Sequence, residues 1–269
     1  PSNYSPHTTQ MLKRLIEETF PKDHVSVVTG GREENAALLD QKFDYIFFTG
    51  SVKVGKLVME KASRHLCPTT LELGGKSPCI VDHTANLKLA AKRICFGKHV
   101  NVGQTCIAPD YLFVEECVKD EFLNHYKNCI KEMFGDNPIN NNPDYGKIVN
   151  KKHFDRVSRL INPNKVIFGG RTNEATQQIE PTILDNVSAE DPVMQEEIFG
   201  PVFPLITLDD NGKYTDIVNR KYEGEIKQKG DKVYFYTLGN LTVSDYNPNA
   251  TGFSGITYQD PTGDKQTLE

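Results

Sequence analysis

Long apolar stretches are missing from this 269-residue chain: no run of about 18 apolar residues occurs, so a membrane-spanning helix is not expected. The start of the chain has no charged segment followed by an apolar one, and a secretory signal is therefore not expected. The six cysteines include no CxxC spacing, which disfavours a disulfide framework and a zinc site. These absences favour a reducing compartment, and we expect a cytoplasmic protein without a bound metal.

An excess of charge of either sign is also missing. The 31 basic and 36 acidic residues give a formal net charge of −5, and they are spread evenly along the chain. Neither nucleic acid nor an anionic membrane surface is an expected partner for such a chain. A small-molecule partner is the better expectation, and the length is sufficient for two domains.

Apolar residues at helical spacing alternate with short β-forming runs over most of the chain. The pattern predicts helices over residues 7–20, 33–40, 54–65, 87–98, 118–134 and 151–161, and strands over 25–28, 45–48, 69–73, 78–81, 111–114, 165–168 and 181–184. This alternation predicts an α/β fold with parallel strands flanked by helices. After about residue 221 the composition changes, and the runs 232–236 and 241–243 predict a β-hairpin followed by loops.

Two short segments carry candidate reacting groups. Glu72 lies at a predicted strand end, two residues before the Gly74-Gly75 turn, and a glutamate in a partly apolar pocket can take a proton from water or a thiol. Cys106 ends a Gly-Gln-Thr-Cys loop, and a thiolate there could attack an aldehyde or acyl carbon. Each alone is more often a solvated carboxylate or a structural cysteine. Together they suggest covalent thiol chemistry on a carbonyl.

Two further segments have features of a nucleotide site. Residues 48–55 read as a strand, a glycine-containing turn and a helix start, which suits a phosphate because free N–H groups and the helix dipole point at an anion. Taken alone, this Gly-x-x-x-x-Gly spacing also fits an ordinary capped turn. In residues 195–201, Glu197 could bind ribose hydroxyls and Phe199 could pack on a cofactor ring, or the segment could be a solvated charged stretch beside a core Phe.

The four segments, in this order and at these separations, closely resemble the aldehyde dehydrogenase superfamily. The surrounding residues are most similar to the class 3 branch, which acts on fatty and aromatic aldehydes; they are 108–111, 144–146 and 179–184. The resemblance runs from residue 1 to about 221. It implies an aldehyde dehydrogenase-like fold with a partial Rossmann-type parallel sheet over 1–73, an α/β catalytic domain over 74–221 and a β-rich tail over 222–269.

The resemblance also implies a reaction, the oxidation of an aldehyde to a carboxylic acid with NAD+ or NADP+. Cys106 would attack the aldehyde, hydride would leave the thiohemiacetal for the nicotinamide, and Glu72 would activate water to hydrolyse the thioester. Glu197 would hold the nicotinamide ribose, with Phe199 packed nearby. The residues expected near the pyrophosphate are Gly50, Ser51, Val52, Lys53, Val54 and Gly55. Members of the family form homodimers.

The chain departs from the family at both ends. It opens at Pro1-Ser2 without the lysine that precedes this pair in the family and helps to bind the adenosine ribose, and the oxyanion-hole asparagine is absent. Residues 222–269 lack the family's C-terminal segments. We therefore expect a fragment that keeps the thiol, the base and part of the cofactor site, and that is unstable alone, associated with another chain, or the product of only part of a gene.

Activity of such a fragment stays open, and two other functions compete with it. One is a catalytically dead interaction or regulatory protein, which binds a partner through its tail and need not bind NAD+. The other is a thioesterase, because hydrolysis needs Cys106 and Glu72 but no hydride acceptor.

Overall fold

The computed structural model describes residues 1–208 and the two strands Val233–Leu238 and Gly263–Leu268. The chain divides into two compact units, Pro1–Gly212 and Lys213–Glu269. Within the described residues, no helix is long and apolar enough to cross a membrane. The predicted boundary at residue 73 between a dinucleotide-binding and a catalytic domain stays a prediction.

The first part of the chain pairs two parallel strands with three helices. The helices are α1 (Pro6–Thr19), α2 (Arg32–Leu39) and α3 (Val52–Ser63), and the strands are β1 (Ile46–Thr49) and β2 (Thr69–Glu72). Helix α1 begins at a proline, whose missing N–H costs nothing in the first turn. The parallel register places Thr49 beside Glu72, so the carboxyl ends of β1 and β2 lie next to each other.

The strand predicted over residues 25–28 is absent, and the prediction was wrong. The N–H groups of His24 and Val25 both donate to Pro21 O, at 3.0 and 3.1 Å, so this stretch begins as a turn. Val25 and Val28 are exposed, with no strand among the described residues to cover them. Without a neighbouring strand, the β-branched residues have no pleated surface to pack on, and their β propensity is not realised.

A five-stranded sheet forms the centre of the first unit. Its strands are β3 (Ser77–Val81), β4 (Pro109–Glu115), β5 (Val166–Phe168), β8 (Thr182–Leu184) and β9 (Val202–Leu208), in the order β3-β4-β9-β8-β5. All neighbours are parallel except β5 and β8. The small antiparallel pair β6 (Thr172–Asn173) and β7 (Gln178–Ile179) lies outside this sheet. A mainly parallel sheet agrees with the α/β prediction.

Two apolar clusters pack against this sheet. The long helices α4 (Leu87–His99) and α5 (Glu116–Phe134) contribute to the first cluster, and α7 (Lys151–Arg159) contributes to the second. Phe203 and Leu205 of β9 belong to the first cluster and Val202 to the second, so the clusters cover opposite faces of the sheet. The short helices are α6 (Pro138–Asn141) and α8 (Pro192–Gln195).

The second unit contains the antiparallel pair β10 (Val233–Leu238) and β11 (Gly263–Leu268). The strand predicted over 232–236 is confirmed as β10. Its described partner is β11, and residues 241–243, where the sequence predicted the other arm of a hairpin, lie outside the described residues.

Candidate active site

The loop that carries Cys106 leaves helix α4 through three consecutive left-handed residues. Asn101 and Val102 have φ of 51° and 57°, and Gly103 has φ of 75°. A β-branched residue such as Val102 rarely takes this conformation, and non-glycine residues held there cost about 1–3 kcal/mol each. Val102 is nevertheless buried in the second apolar cluster. This sharp turn places Cys106 at a partly exposed position after the end of α4.

The Gly74-Gly75 turn lies between this loop and Glu197. The N–H of Gly75 donates to Glu197 Oε1 at 3.2 Å. A Cβ added at Gly74 would lie 2.0 Å from Glu197 Oε2, and one at Gly75 would lie 3.2 Å from Cys106 O. Only residues without side chains allow both approaches. Three segments far apart in the sequence therefore meet at this turn.

Glu72 lies at the edge of the same arrangement. It ends β2, is exposed, and its carbonyl accepts a 2.9 Å hydrogen bond from Gly50 N, the first residue of the predicted phosphate turn. The Glu72 carboxylate and the Cys106 thiol make no hydrogen bond to each other or to any other residue in the described part of the chain. Both groups are therefore available to a ligand that enters beside Gly74 and Gly75.

The predicted phosphate turn forms the N-terminus of α3. Ser51 is its N-cap and accepts a hydrogen bond from Val54 N at 3.4 Å. Ser51, Val52, Lys53 and Val54 are exposed, whereas Gly55 is buried against Leu73. The contact with Leu73 shows that Gly55 packs α3 onto the segment after β2.

A buried ionic network holds the segment around Glu197. Lys76 Nζ donates to Asp110 Oδ2 at 2.5 Å and to the carbonyls of Val193 and Glu196 at 3.0 Å. The other oxygen of Asp110 accepts from Ile198 N at 3.0 Å. Asp110 is only 3% exposed. Its hydrogen bonds involve charged groups, and such bonds are shorter and stronger than bonds between neutral groups. The network fixes the backbone on both sides of Glu197.

Arg156 of α7 supports the same segment from the other side. Its guanidinium donates to Glu196 Oε1 at 3.1 Å, to Glu197 O at 3.0 Å and to Ile198 O at 2.6 Å. Local sequence predicts this helix, but the functional roles of Arg156, Lys76 and Asp110 were not predicted from it. Lys76 and Asp110 lie within the segments that carry the family resemblance, and this position is the signal by which they could have been found. The sequence offers no such signal for Arg156, because Glu196, to which it bonds, lies 40 positions later.

The environment of Glu197 raises the pKa of its carboxyl. Burial raises the pKa of the Glu197 carboxyl and the charge of Asp110 adds to the increase, while the hydrogen bond from Gly75 and the cations of Arg156 and Lys76 oppose it. Phe199, two residues after Glu197, is half-buried with φ of 48°. The next residue, Gly200, lies against Gly103 of the Cys106 loop.

Gly103 provides a test of this packing. A Cβ at Gly103 would lie 2.3 Å from Gly200 O, so we expect Gly103→Ala to lower the free energy of unfolding by about 3 kcal/mol or more beyond the cost of its positive φ. Gly135→Ala is the matched control, because Gly135 has φ of +83° with nothing within 4 Å among the described residues. Urea denaturation of both variants measures the difference. Equal losses would contradict the close contact between the two loops.

Lys98 is a buried cation near the site. It is 1% exposed, and its ammonium lies 5.3 Å from the ring centre of Phe203 without a hydrogen bond to any described residue. Burial lowers the pKa of Lys98 to about 8, and Lys76 adds to the decrease while Asp110 and Glu197 oppose it. Between about pH 8 and 10.4 the unfolded chain therefore binds more protons than the folded chain, and stability rises with pH.

We expect Lys98→Met to raise the free energy of unfolding by about 1–3 kcal/mol at pH 7, where the buried charge carries its full cost. The advantage over the original lysine should shrink as the pH approaches 10, because the folded lysine then loses its proton. Urea denaturation at the two pH values measures this. Lys92→Met, the same change at an exposed position of α4, is the control, and a pH-independent effect of Lys98→Met would contradict the account.

The known proteins that resemble this chain share one family. The model of the aldehyde dehydrogenase family matches residues 1–226. The 4,4'-diaponeurosporen-aldehyde dehydrogenase of Staphylococcus aureus is 50% identical over 209 residues, which are 77% of this chain and 45% of that protein. Aldehyde dehydrogenase family 3 member A2 of Rattus norvegicus is 44% identical over 260 residues, which are 97% of this chain and 52% of that protein.

Solved structures give the same result. The substrate-bound Staphylococcus aureus AldH has a TM-score of 0.76 and 47% identity over 81% of this chain and 48% of that one. A Mycobacterium tuberculosis aldehyde dehydrogenase complexed with NAD+ has a TM-score of 0.68 and 29% identity over 78% of this chain and 46% of that one. The chain spans about half the length of the curated relatives it matches. The alignment with the rat protein extends into the tail, residues 222–269, which was not expected to resemble the family.

Proposed function

The chain belongs to the aldehyde dehydrogenase family, and we propose that it takes part in the oxidation of an aldehyde to a carboxylic acid, with NAD+ or NADP+ as the hydride acceptor. The observation that carries the proposal is the Gly74-Gly75 turn, which touches the Cys106 loop on one side and the Glu197 carboxylate on the other. The candidate nucleophile and the candidate ribose ligand thereby lie beside the same turn, and the candidate base Glu72 precedes this turn by two residues.

Cys106 is proposed as the nucleophile. Its thiolate attacks the aldehyde carbon, a C–S bond forms, and the carbonyl oxygen becomes the oxyanion of a thiohemiacetal. When bound, NAD(P)+ supplies the acceptor for the hydride that leaves this carbon, so that a thioester remains on the sulfur. Cys106 is partly exposed and its loop contacts the Gly74-Gly75 turn, which supports this role.

Glu72 is proposed as the general base for hydrolysis. Its carboxylate takes a proton from water, and the water oxygen attacks the thioester carbon. The C–S bond then breaks, the carboxylic acid leaves and the Cys106 thiolate is restored. The exposed carboxylate at the end of β2, without a bond to another described residue, supports this role.

The dinucleotide is proposed to bind between the N-terminus of α3 and Glu197. The first N–H groups of α3 have no partner within the helix and are exposed at Val52 and Lys53, which suits a phosphate. Glu197 would accept hydrogen bonds from the nicotinamide ribose, and Phe199 would pack near the ring. Among the relatives, the Mycobacterium tuberculosis protein is complexed with NAD+ and a mouse protein is NADP-preferring, so both cofactors stay open for this chain. A homodimer and a cytoplasmic location stay predictions.

The function is tested by mixing the purified chain with a medium-chain or aromatic aldehyde and either NAD+ or NADP+, and following the absorbance of the reduced nicotinamide. The account predicts aldehyde-dependent reduction of the cofactor. Folded protein that binds neither cofactor and gives no reduction would contradict it. Hydrolysis of a nitrophenyl ester without cofactor, in the absence of any dehydrogenase signal, would instead favour a thioesterase.

A further inference from the structure

The Cys106 loop has hydrogen bonds of its own, from Asn101 Nδ2 to Gln104 O at 3.0 Å and from Gln104 N to Asn101 O at 3.1 Å, and it also needs restraint from outside. Its turn contains the three left-handed residues Asn101, Val102 and Gly103, two of which carry side chains. Such a conformation persists only where the surrounding structure determines it. The position of the nucleophile therefore depends on contacts from outside the loop.

The side-chain amide of Gln104 makes such contacts. Its Nε2 donates to Asn101 O within the loop and to Lys147 O outside it, both at 3.1 Å. Its Oε1 accepts from Val149 N at 2.9 Å. One amide thereby bonds to three backbone groups and joins the loop to a segment more than 40 residues away.

Val102 contacts the same segment from the apolar side. A Cβ added at Gly146 would lie 2.8 Å from Val102 Cγ2, so the Val102 side chain packs directly against the Gly146 backbone. Ile148 is fully buried in the same apolar cluster as Val102, and its N–H donates to Gln177 O at 2.9 Å. The segment 146–149 is thus itself anchored, and it contacts the left-handed turn through both polar and apolar groups.

The segment continues directly into helix α7. Asn150 caps this helix by accepting from His153 N at 2.9 Å, and Arg156 of the helix bonds to the carbonyls of Glu197 and Ile198. We propose that Gln104 is a positioning residue that fixes the Cys106 loop to the start of α7, and thereby sets the nucleophile relative to Glu197. The catalytic consequence rests on the proposed function, whereas the structural link does not.

Hydrogen–deuterium exchange followed by mass spectrometry tests the link in Gln104→Met, which keeps the side-chain length but removes all three bonds. We expect peptides covering residues 101–106 and 147–150 to exchange at least about tenfold faster, with α5 unchanged. Gln104→Asn is the second variant, because its shorter amide can bond within the loop but cannot reach Lys147 O and Val149 N. It should behave like Gln104→Met outside the loop and in catalysis.

Gln178→Met is the matched control. Gln178 Nε2 donates to Tyr145 O at 2.8 Å, so the same substitution removes one backbone bond in the same region without touching the Cys106 loop. We expect it to leave exchange of residues 101–106 unchanged. Unchanged exchange in both Gln104 variants, or an equal effect of Gln178→Met, would overturn the proposal.

Steady-state kinetics test the catalytic consequence. Misplacing a nucleophile by about 1 Å can cost about 100-fold, so we expect both Gln104 variants to lower kcat by about 10- to 100-fold while KM for the aldehyde changes less than about threefold. Wild-type kcat in both variants would refute a positioning role. If the wild-type chain oxidises no aldehyde, the proposed function fails, and hydrogen exchange still decides whether Gln104 fixes the loop.

Discussion

Cys106→Ala is expected to lower aldehyde-dependent formation of NAD(P)H by a factor on the order of 10⁴ or more, because removing a covalent nucleophile removes the path through the thiohemiacetal. Burial raises the thiol pKa of Cys79, Cys95 and Cys129. Cys95 is buried, and burial raises the pKa of its thiol to about 12, so it carries almost no thiolate near neutral pH. Initial rates at saturating aldehyde and cofactor measure the loss.

Cys117→Ala is the control for this prediction. Cys117 is exposed in the first turn of α5, outside the proposed site, and its replacement should leave the rate within about twofold. Cofactor binding by Cys106→Ala should persist, because the thiol is not among the proposed cofactor ligands. A rate in Cys106→Ala that is similar to the wild-type rate would exclude Cys106 as the nucleophile.

Glu72→Gln is expected to separate the two halves of the reaction. Loss of a general base typically costs about 10²- to 10⁴-fold, and here it should affect thioester hydrolysis alone. A rapid burst of NAD(P)H, of about one equivalent per site, should survive, followed by slow turnover. Stopped-flow absorbance measures both phases. The fold should not change, because the strand contacts of Glu72 with Thr49 and Gly50 use the backbone.

Glu60→Gln is the matched control, because Glu60 is exposed on α3 and pairs only with the surface residue Arg64 among the described residues. It should leave both phases unchanged. Loss of the burst in Glu72→Gln would place Glu72 before hydride loss and contradict its role in hydrolysis. Steady turnover at the wild-type rate would exclude it as the base.

The regular elements of the first unit could largely be predicted from local sequence. Periodic apolar residues gave helix α4 over 87–98 and α5 over 118–134, close to the observed Leu87–His99 and Glu116–Phe134. The failure at residues 25–28 has a physical cause: a β-branched run becomes a strand only where a neighbour pairs with it. Local sequence contains no information about that neighbour.

The support of the candidate site was much harder to predict. Cys106, Glu72 and Glu197 belong to short motifs with recognisable chemistry. The residues that hold these motifs in place lie outside them. Arg156 reaches three groups of the Glu196–Ile198 segment only after α7 has packed beside it. Asp110 bonds to Lys76 and Ile198 from a buried position, and burial cannot be read from a single sequence. Such residues are determined by tertiary contacts.

The most direct test of the account is the mass of the covalent intermediate. Glu72→Gln protein is mixed with NAD+ or NADP+ and an aldehyde, quenched in acid, and analysed as intact protein and as peptides. The account predicts an increase equal to the mass of the aldehyde less two hydrogen atoms, located on Cys106, and found only when the oxidised cofactor is present. An unmodified Cys106, or an adduct on another cysteine that forms without cofactor, would contradict it.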